Sequence, residues 1–289
     1  MKAAPFDYHA PGTLEEAVAA LAQYGDEGKI LAGGQSLVPM MAFRLARPAH
    51  LIDINRLARL SGIRQNGGLT LGALTRQREV ERSSVVAAAA PLLQAATRWI
   101  GHPPIRARGT VGGSLAHNDP AGEYPAALLA LDAVATAASV RRERTIPVDS
   151  LLGEWLSTTL EPDELVTQVT IPAGAGQARF GMAEVAKRHG DFALAGVIVR
   201  LSLDGRGAIA DPRVVAFGGL PRAQRMSDAE RVLAGNAPSA ALFGEAGDAA
   251  RAAAEPVSDV HASAAYRQHL ISVLTVRALR DAVEMEAIS

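Results

Sequence analysis

Apolar and polar positions recur along this chain in two rhythms, one helical and one alternating, and the changes between them divide it into elements. From Thr13 to Tyr24 the apolar residues fall at helical spacing; Thr13 is placed to cap this helix, Glu15 and Glu16 suit its first turn, and Gly25 ends it. A short apolar strand, Lys29 to Ala32, runs into Gly33-Gly34, followed by a brief helix over Pro39 to Leu45 and a buried strand from His50 to Ile54. Ser61 to Gly68 is rich in turn residues, Leu69 to Leu71 returns to strand, and Thr75 to Val80 and Pro91 to Ile100 read as helices. Gly109 to Glu123 reads as loop, dense in Gly, Asn, Asp and Pro, and Pro125 to Leu131 as helix. Strands are predicted around Ala133 to Val140, Thr145 to Val148 and Leu165 to Ile171. Pro172 to Gly176 is the best linker, and beyond it Ala178 to Val185, Ala193 to Leu203 and Ala208 to Phe217 form a strand meander. Polar helices close the chain, notably Ala264 to Glu286. The pattern predicts an α+β protein with a domain boundary near residue 174.

Two segments place paired glycines directly after a short apolar stretch: Leu31-Ala32-Gly33-Gly34-Gln35-Ser36, and Gly109-Thr110-Val111-Gly112-Gly113-Ser114 continuing to His117. Paired glycines turn a chain tightly, and they also let backbone N–H groups converge on an anion without interference from side chains. The hydroxyls of Ser36, Thr110 and Ser114, with Gln35, add neutral donors suited to a pyrophosphate. These residues alone leave both readings open, whereas Gly218-Gly219, between a strand and Pro221, fits the plain turn. No GxGxxG follows a strand, no phosphate-binding GxxxxGK[ST] is present, and the seven histidines form no HExxH.

Composition narrows the chemistry. The 289 residues contain no cysteine, so this chain supplies no disulfide, zinc–thiolate site or thiolate-held iron–sulfur cluster. A redox function therefore requires an organic cofactor here and any metal cluster on a partner. A net charge of −1 and 4% aromatic residues argue against nucleic-acid binding. No run of 18 apolar residues and no apolar leader occurs, which predicts no membrane insertion and a cytoplasmic location.

The chain resembles the FAD-binding medium subunit of the molybdenum hydroxylases, the family of xanthine dehydrogenases and aerobic carbon monoxide dehydrogenases. The opening Phe6-Asp7-Tyr8 with Pro11 and four longer stretches carry the resemblance, in order and over essentially the whole length: Leu31 to Leu57 (LAGGQSLVPMMAFRLARPAHLIDINRL), Ile105 to Ala133 (IRARGTVGGSLAHNDPAGEYPAALLALDA), Glu161 to Pro172 (EPDELVTQVTIP) and Lys187 to Val197 (KRHGDFALAGV). It implies a vanillyl-alcohol-oxidase (PCMH)-type FAD-binding domain over 1–174, with subdomains of about 1–57 and 58–174. A small α/β C-terminal domain with a three-stranded antiparallel sheet would fill 175–289. It further implies FAD on this chain, a large partner with a molybdopterin cofactor, a small partner with two [2Fe–2S] clusters, and a dimer of such heterotrimers. Electrons would reach the FAD from the clusters and leave to an external acceptor, with no acid, base or nucleophile required of this chain. The same fold also accommodates a stand-alone flavin oxidase or a flavin-free scaffold.

By the same resemblance, Ala32, Gly33, Gly34, Gln35 and Ser36 would wrap the pyrophosphate, flanked by Leu31 and Leu37. Thr110, Val111, Gly112, Gly113 and Ser114 would complete the cradle through backbone N–H groups. Glu123 stands where the family usually has an aspartate that holds the ribityl or ribose hydroxyls, and His117 occupies a variable polar position nearby. Leu165 and Val166 would pack near the isoalloxazine, and Lys187, Asp191 and Phe192 would lie beside its exposed face. Each has a plainer role open to it: Glu123 at a helix start, His117 in a loop, Leu165, Val166 and Phe192 in the core, and Lys187 in a solvated basic pair.

Overall fold

A computed structural model describes residues 2–285, and the predicted helix end at Glu286 lies outside them. The first unit is a small βαβ layer built from β1 (Asp7–His9), α1 (Leu14–Tyr24), β2 (Gly28–Leu31), α2 (Leu37–Ala42) and β3 (His50–Asp53). Its strands run parallel in the order β1-β3-β2. The α1 start is doubly closed: Thr13 Oγ1 accepts from the Glu16 N–H at 3.1 Å, and the Glu16 carboxylate accepts from the Gly12 N–H at 2.6 Å. Ala17, Val18 and Leu21 turn inward onto Ile52, Ile54 and Leu57.

The second unit contains β4 (Ile63–Gln65), β5 (Gly68–Gly72), α3 (Gln77–Arg82), α4 (Ser84–Ala89), α5 (Pro91–Thr97) and α6 (Pro103–Arg108). It continues through α7 (Val111–His117), α8 (Glu123–Ala130), β6 (Val134–Ala138), β7 (Glu143–Pro147), α9 (Val148–Leu151) and β8 (Leu165–Pro172). The five strands form an antiparallel sheet in the order β4-β5-β8-β6-β7. Strand alternation is visible across one pair: Leu69 and Leu71 face the core opposite Ile171 and Val169, while Thr70 and Thr170 meet on the other face with hydroxyls 3.2 Å apart. Helix α8 is buried on every side, which its apolar sequence requires.

The third unit is a sheet of three long antiparallel strands, β9 (Arg179–Ala186), β10 (Ala193–Leu203) and β11 (Ile209–Phe217), backed by α10 (Ser227–Leu233), α11 (Ala240–Ala253) and α12 (Ala264–Glu284). A two-residue strand, β12 (Gln224–Arg225), extends the expected three-stranded sheet to four by pairing with β11.

Two other expectations change. The segment read as loop from Gly109 to Glu123 contains α7, because Thr110 caps it and Gly112 packs flat on Ala73 where a Cβ would clash. The segment read as linker is fixed chain: Ala175 is buried, and a Cβ on Gly176 would overlap the Ala88 carbonyl.

One residue clamps the third unit to the second. Asp132, at φ +50°, accepts from Arg200 Nη2 and Arg213 Nε, each at 3.1 Å, with Arg225 Nη1 at 4.0 Å. Gly218 N–H to Pro120 O at 2.9 Å and Trp155 N–H to Pro221 O at 2.8 Å tie the same junction through the backbone. Substituting Asp132→Asn keeps a residue that tolerates positive φ but removes the charge facing three guanidiniums. A loss of about 1–2 kcal/mol in chemical denaturation is expected, below that of a fully buried pair because the carboxylate is partly exposed.

Candidate functional site

The two glycine segments meet backbone to backbone. A Cβ on Gly33 would stand 2.9 Å from the Gly109 Cα and overlap the Arg108 carbonyl, and one on Gly113 would stand 3.7 Å from the Ala32 Cβ. Gly33 is therefore a glycine because of close approach between the segments, and Gly113 because a Cβ there would stand 2.6 Å from the Thr110 Oγ1 that caps its own helix; Gly34, at φ +73°, is the position whose conformation favours glycine.

The first segment connects the end of β2 to the start of α2. The backbone N–H groups of Gly33, Gly34, Gln35, Ser36 and Leu37 find no acceptor among the described residues. The Gln35 amide donates back to Gly33 O at 3.1 Å and holds the turn. A run of free N–H groups ending at a helix start forms a concave donor surface for an anion.

The second segment is chemically different. Val111 N–H donates to Thr75 O, Gly112 N–H to Ala73 O, Gly113 N–H to Thr110 Oγ1 and Ser114 N–H to Thr110 O. These groups are occupied within the protein, so the expected N–H cradle at Val111 to Ser114 is replaced by a flat glycine wall with the Thr110 N–H at its edge. Ser114 Oγ accepts from the Gln77 side-chain amide at 3.0 Å.

A strap that sequence reasoning missed holds the segments in register. Asn55 Nδ2 donates to Ala32 O at 2.7 Å, Arg76 Nη2 donates to Asn55 Oδ1 at 2.7 Å, and Arg76 Nη1 donates to Arg108 O at 2.6 Å. Asp53 anchors Asn55 and accepts from the Tyr8 hydroxyl at 2.6 Å. Its hydrogen bonds and the nearby Arg108 outweigh partial burial, which acts upward and is the largest single influence, and its pKa is lowered. Burial and the neighbouring Arg108 lower the pKa of Arg76, a guanidinium that stays charged at neutral pH. The LIDINRL stretch contains Asn55, but nothing local in it signals a bond to a loop 23 residues away.

The remaining candidates divide. Leu31 closes β2, and Leu37 opens α2 half-buried. His117 ends α7 with its Nε2 4.0 Å from Asp119 Oδ2, and burial, opposed by Asp119, lowers its pKa. Glu123 opens α8 only 8% exposed; burial foremost, with Asp119 adding like charge, raises it to about 7. Leu165 and Val166 are buried in two different apolar clusters. Lys187, Asp191 and Phe192 occupy the turn between β9 and β10: Lys187 Nζ lies 2.8 Å from His261 Nδ1, and Phe192 is 72% exposed and not part of the core. That turn leans on the second unit through Gly190, which packs on the His102 ring and the Gly101 carbonyl.

Comparison with known proteins gives this geometry its context. Residues 4–174 match the family described as the FAD binding domain in molybdopterin dehydrogenase, and residues 182–282 match the CO dehydrogenase flavoprotein C-terminal domain. The chain is 41% identical to the 6-hydroxypseudooxynicotine dehydrogenase complex subunit alpha of Paenarthrobacter nicotinovorans, over 98% of this chain and 96% of that one. It is 40% identical to the nicotine 6-hydroxylase medium subunit of the same organism, over 98% and 99%. A solved carbon monoxide dehydrogenase structure from Hydrogenophaga pseudoflava matches with a TM-score of 0.95 at 37% identity, covering 98% of each chain.

Two substitutions test the paired segments. Gly33→Val, which would force the Arg108–Gly109 backbone away, is expected to abolish FAD retention measured as flavin absorbance per folded chain. Arg76→Ala is expected to weaken FAD binding by about tenfold in a fluorescence titration, because Asn55 and Arg108 lose their common partner.

Proposed function

We propose that this chain, which belongs to the FAD-binding medium subunits of the molybdenum hydroxylases, is the electron-transfer subunit of a three-subunit oxidoreductase complex. The observation that carries this reading is the uninterrupted run of N–H groups from Gly33 to Leu37, set against the glycine wall of the second segment. Such a surface fits the pyrophosphate of FAD, and Arg76 and Arg108 supply permanent positive charge beside it.

In this reading Ala32 to Ser36, with Leu31 and Leu37, hold the pyrophosphate, and Thr110 to Ser114 form the opposite wall. Glu123 and His117 hold polar groups on the way to the flavin. Leu165 and Val166 act as the buried support beneath the ring, and Lys187, Asp191 and Phe192 border its open face. The cofactor, when bound, supplies reversible uptake of an electron pair. The chain's own residues position it, exclude water from one side and leave the side of Phe192 open.

A large subunit with a molybdopterin cofactor would transform the substrate, and a small subunit with two [2Fe–2S] clusters would deliver the electrons. Both fit a chain without cysteine. The two Paenarthrobacter relatives bear the names of different nicotine-related substrates, and the Hydrogenophaga protein that of carbon monoxide. This supports placing substrate choice on the large partner. We place the domain division at residue 174, the complex in the cytoplasm, and its assembly as a dimer of heterotrimers. Among the described residues no helix is long and apolar enough to cross a membrane.

The test is an absorption spectrum of the purified chain and of the complex it co-purifies with. A flavin band released as FAD on denaturation, joined by iron–sulfur and molybdenum in the complex, is expected; a chain colourless even inside its complex would make it a flavin-free scaffold. Phe192→Ala is expected to leave FAD content unchanged and to alter the rate of reoxidation in stopped-flow absorbance.

A further inference from the structure

At the junction of the second and third units lies an acid to which no role has been given. Glu184 on β9 stands directly across from Gly196 on β10, which stands across from Phe217 on β11. Directly opposed residues share a face of the sheet, and the Phe217 ring fills the space over Gly196 where any Cβ would strike it. Phe180, Met182 and Phe217 pack into the core of the FAD-binding domain, whereas Ala183 packs beneath the C-terminal helices. Alternation therefore aims Glu184 at the FAD-binding domain.

There it lines a cleft of about 450 Å³ with Arg98 and Trp99, which follow α5, and with Arg188 and His189 of the β9–β10 turn. This is the turn that carries Lys187, Asp191 and Phe192. Glu184 Oε2 is buried and has no hydrogen-bond partner among the described residues, so none of the surrounding cations reaches it. His102 faces His189 at a ring separation of 6.5 Å, and Lys187 is engaged with His261. The group acting on Glu184 from α8 is another acid, Glu123, itself under the influence of Asp119. Burial first and Glu123 second raise Glu184 to about 8. A buried carboxylate oxygen without a partner is costly, and a neutral acid in an apolar wall lowers that cost while keeping a proton to donate.

We propose that Glu184 is a neutral carboxylic-acid donor that serves the flavin across the interdomain cleft and favours its reduced form. The inference rests on the FAD reading above. Reduction adds negative charge to a flavin; a neutral donor stabilises that charge, and an ionised carboxylate opposes it. The electron pair comes from the iron–sulfur partner or, in the test, from a chemical reductant. Below the titration of Glu184 its proton stays in place. Above it, reduction draws one additional proton from solvent onto Glu184.

The experiment is a potentiometric titration of the FAD-loaded full-length chain across the neutral to alkaline range, in wild type and in Glu184→Gln. In wild type the equilibrium for flavin reduction is expected to fall, above pH about 8, by about tenfold more per pH unit than in Glu184→Gln, whose amide donates at every pH. Infrared spectroscopy provides a second reading on wild type alone: a protonated-carboxyl C=O band that disappears through the same range and is missing in the variant. FAD bound normally with superimposable pH profiles in the two proteins would overturn this inference and leave the FAD reading standing. A wild-type chain that takes up no FAD would overturn both.

Discussion

The structure depends on one close approach, the contact of the Gly33 backbone with the Arg108–Gly109 backbone. Two chain segments separated by more than seventy residues can touch there because neither presents a side chain at the contact. Touching alone would not fix their register. That task falls to Asn55 and Arg76, whose side chains bond to the carbonyls of Ala32 and Arg108 and to each other. With the Ala32 carbonyl held by the strap and those of Gly33, Gly34 and Ser36 taken by Gln35, Val38 and Met40, the N–H groups of the first segment are left without acceptors among the described residues. The second segment contributes shape more than donors, since Thr75, Ala73 and the cap residue Thr110 occupy its N–H groups.

A second constraint acts at the other end of the site. The C-terminal sheet is held by Asp132 under three arginines and by backbone bonds to Pro120 and Pro221. Pro120 lies just ahead of α8, so the clamp sets the distance between α8 and the sheet. Glu123 opens α8 and Glu184 projects from that sheet, which makes the electrostatic coupling of these two acids a consequence of the clamp.

Much of this organisation was legible in the sequence. The helix from Thr13, the strands before and after the first glycine segment and the C-terminal meander all follow local periodicity, and local periodicity survives into the fold. Helix α7 was hidden because Gly112 and Gly113 read as turn residues; what makes them helical is distant chain, the carbonyls of Ala73 and Thr75 and the flat surface of Ala73. Asn55 and Arg76 were hidden because a side chain bonding to backbone 23 or 32 residues away leaves no periodic trace. Glu184 shares a strand face with Phe180 and Met182, and nothing local shows that an acid at the end of that face is enclosed. Only packing of the sheet against a second domain turns that face inward.

The polar groups of the site separate into two kinds, and the separation matches what a redox cofactor demands. Where the pyrophosphate is proposed to lie, the ligand charge is permanent, and the protein meets it with permanent groups: backbone N–H dipoles and the guanidiniums of Arg76 and Arg108. Where the flavin is proposed to lie, the ligand charge changes with each electron pair. There the protein presents Glu123 and Glu184, acids whose burial brings their titration near neutrality. The arginines that line the same cleft, Arg98 and Arg188, act alike at every pH. A neutral acid favours the reduced state only while it keeps its proton, so the cofactor's affinity for electrons follows the proton supply in the cleft.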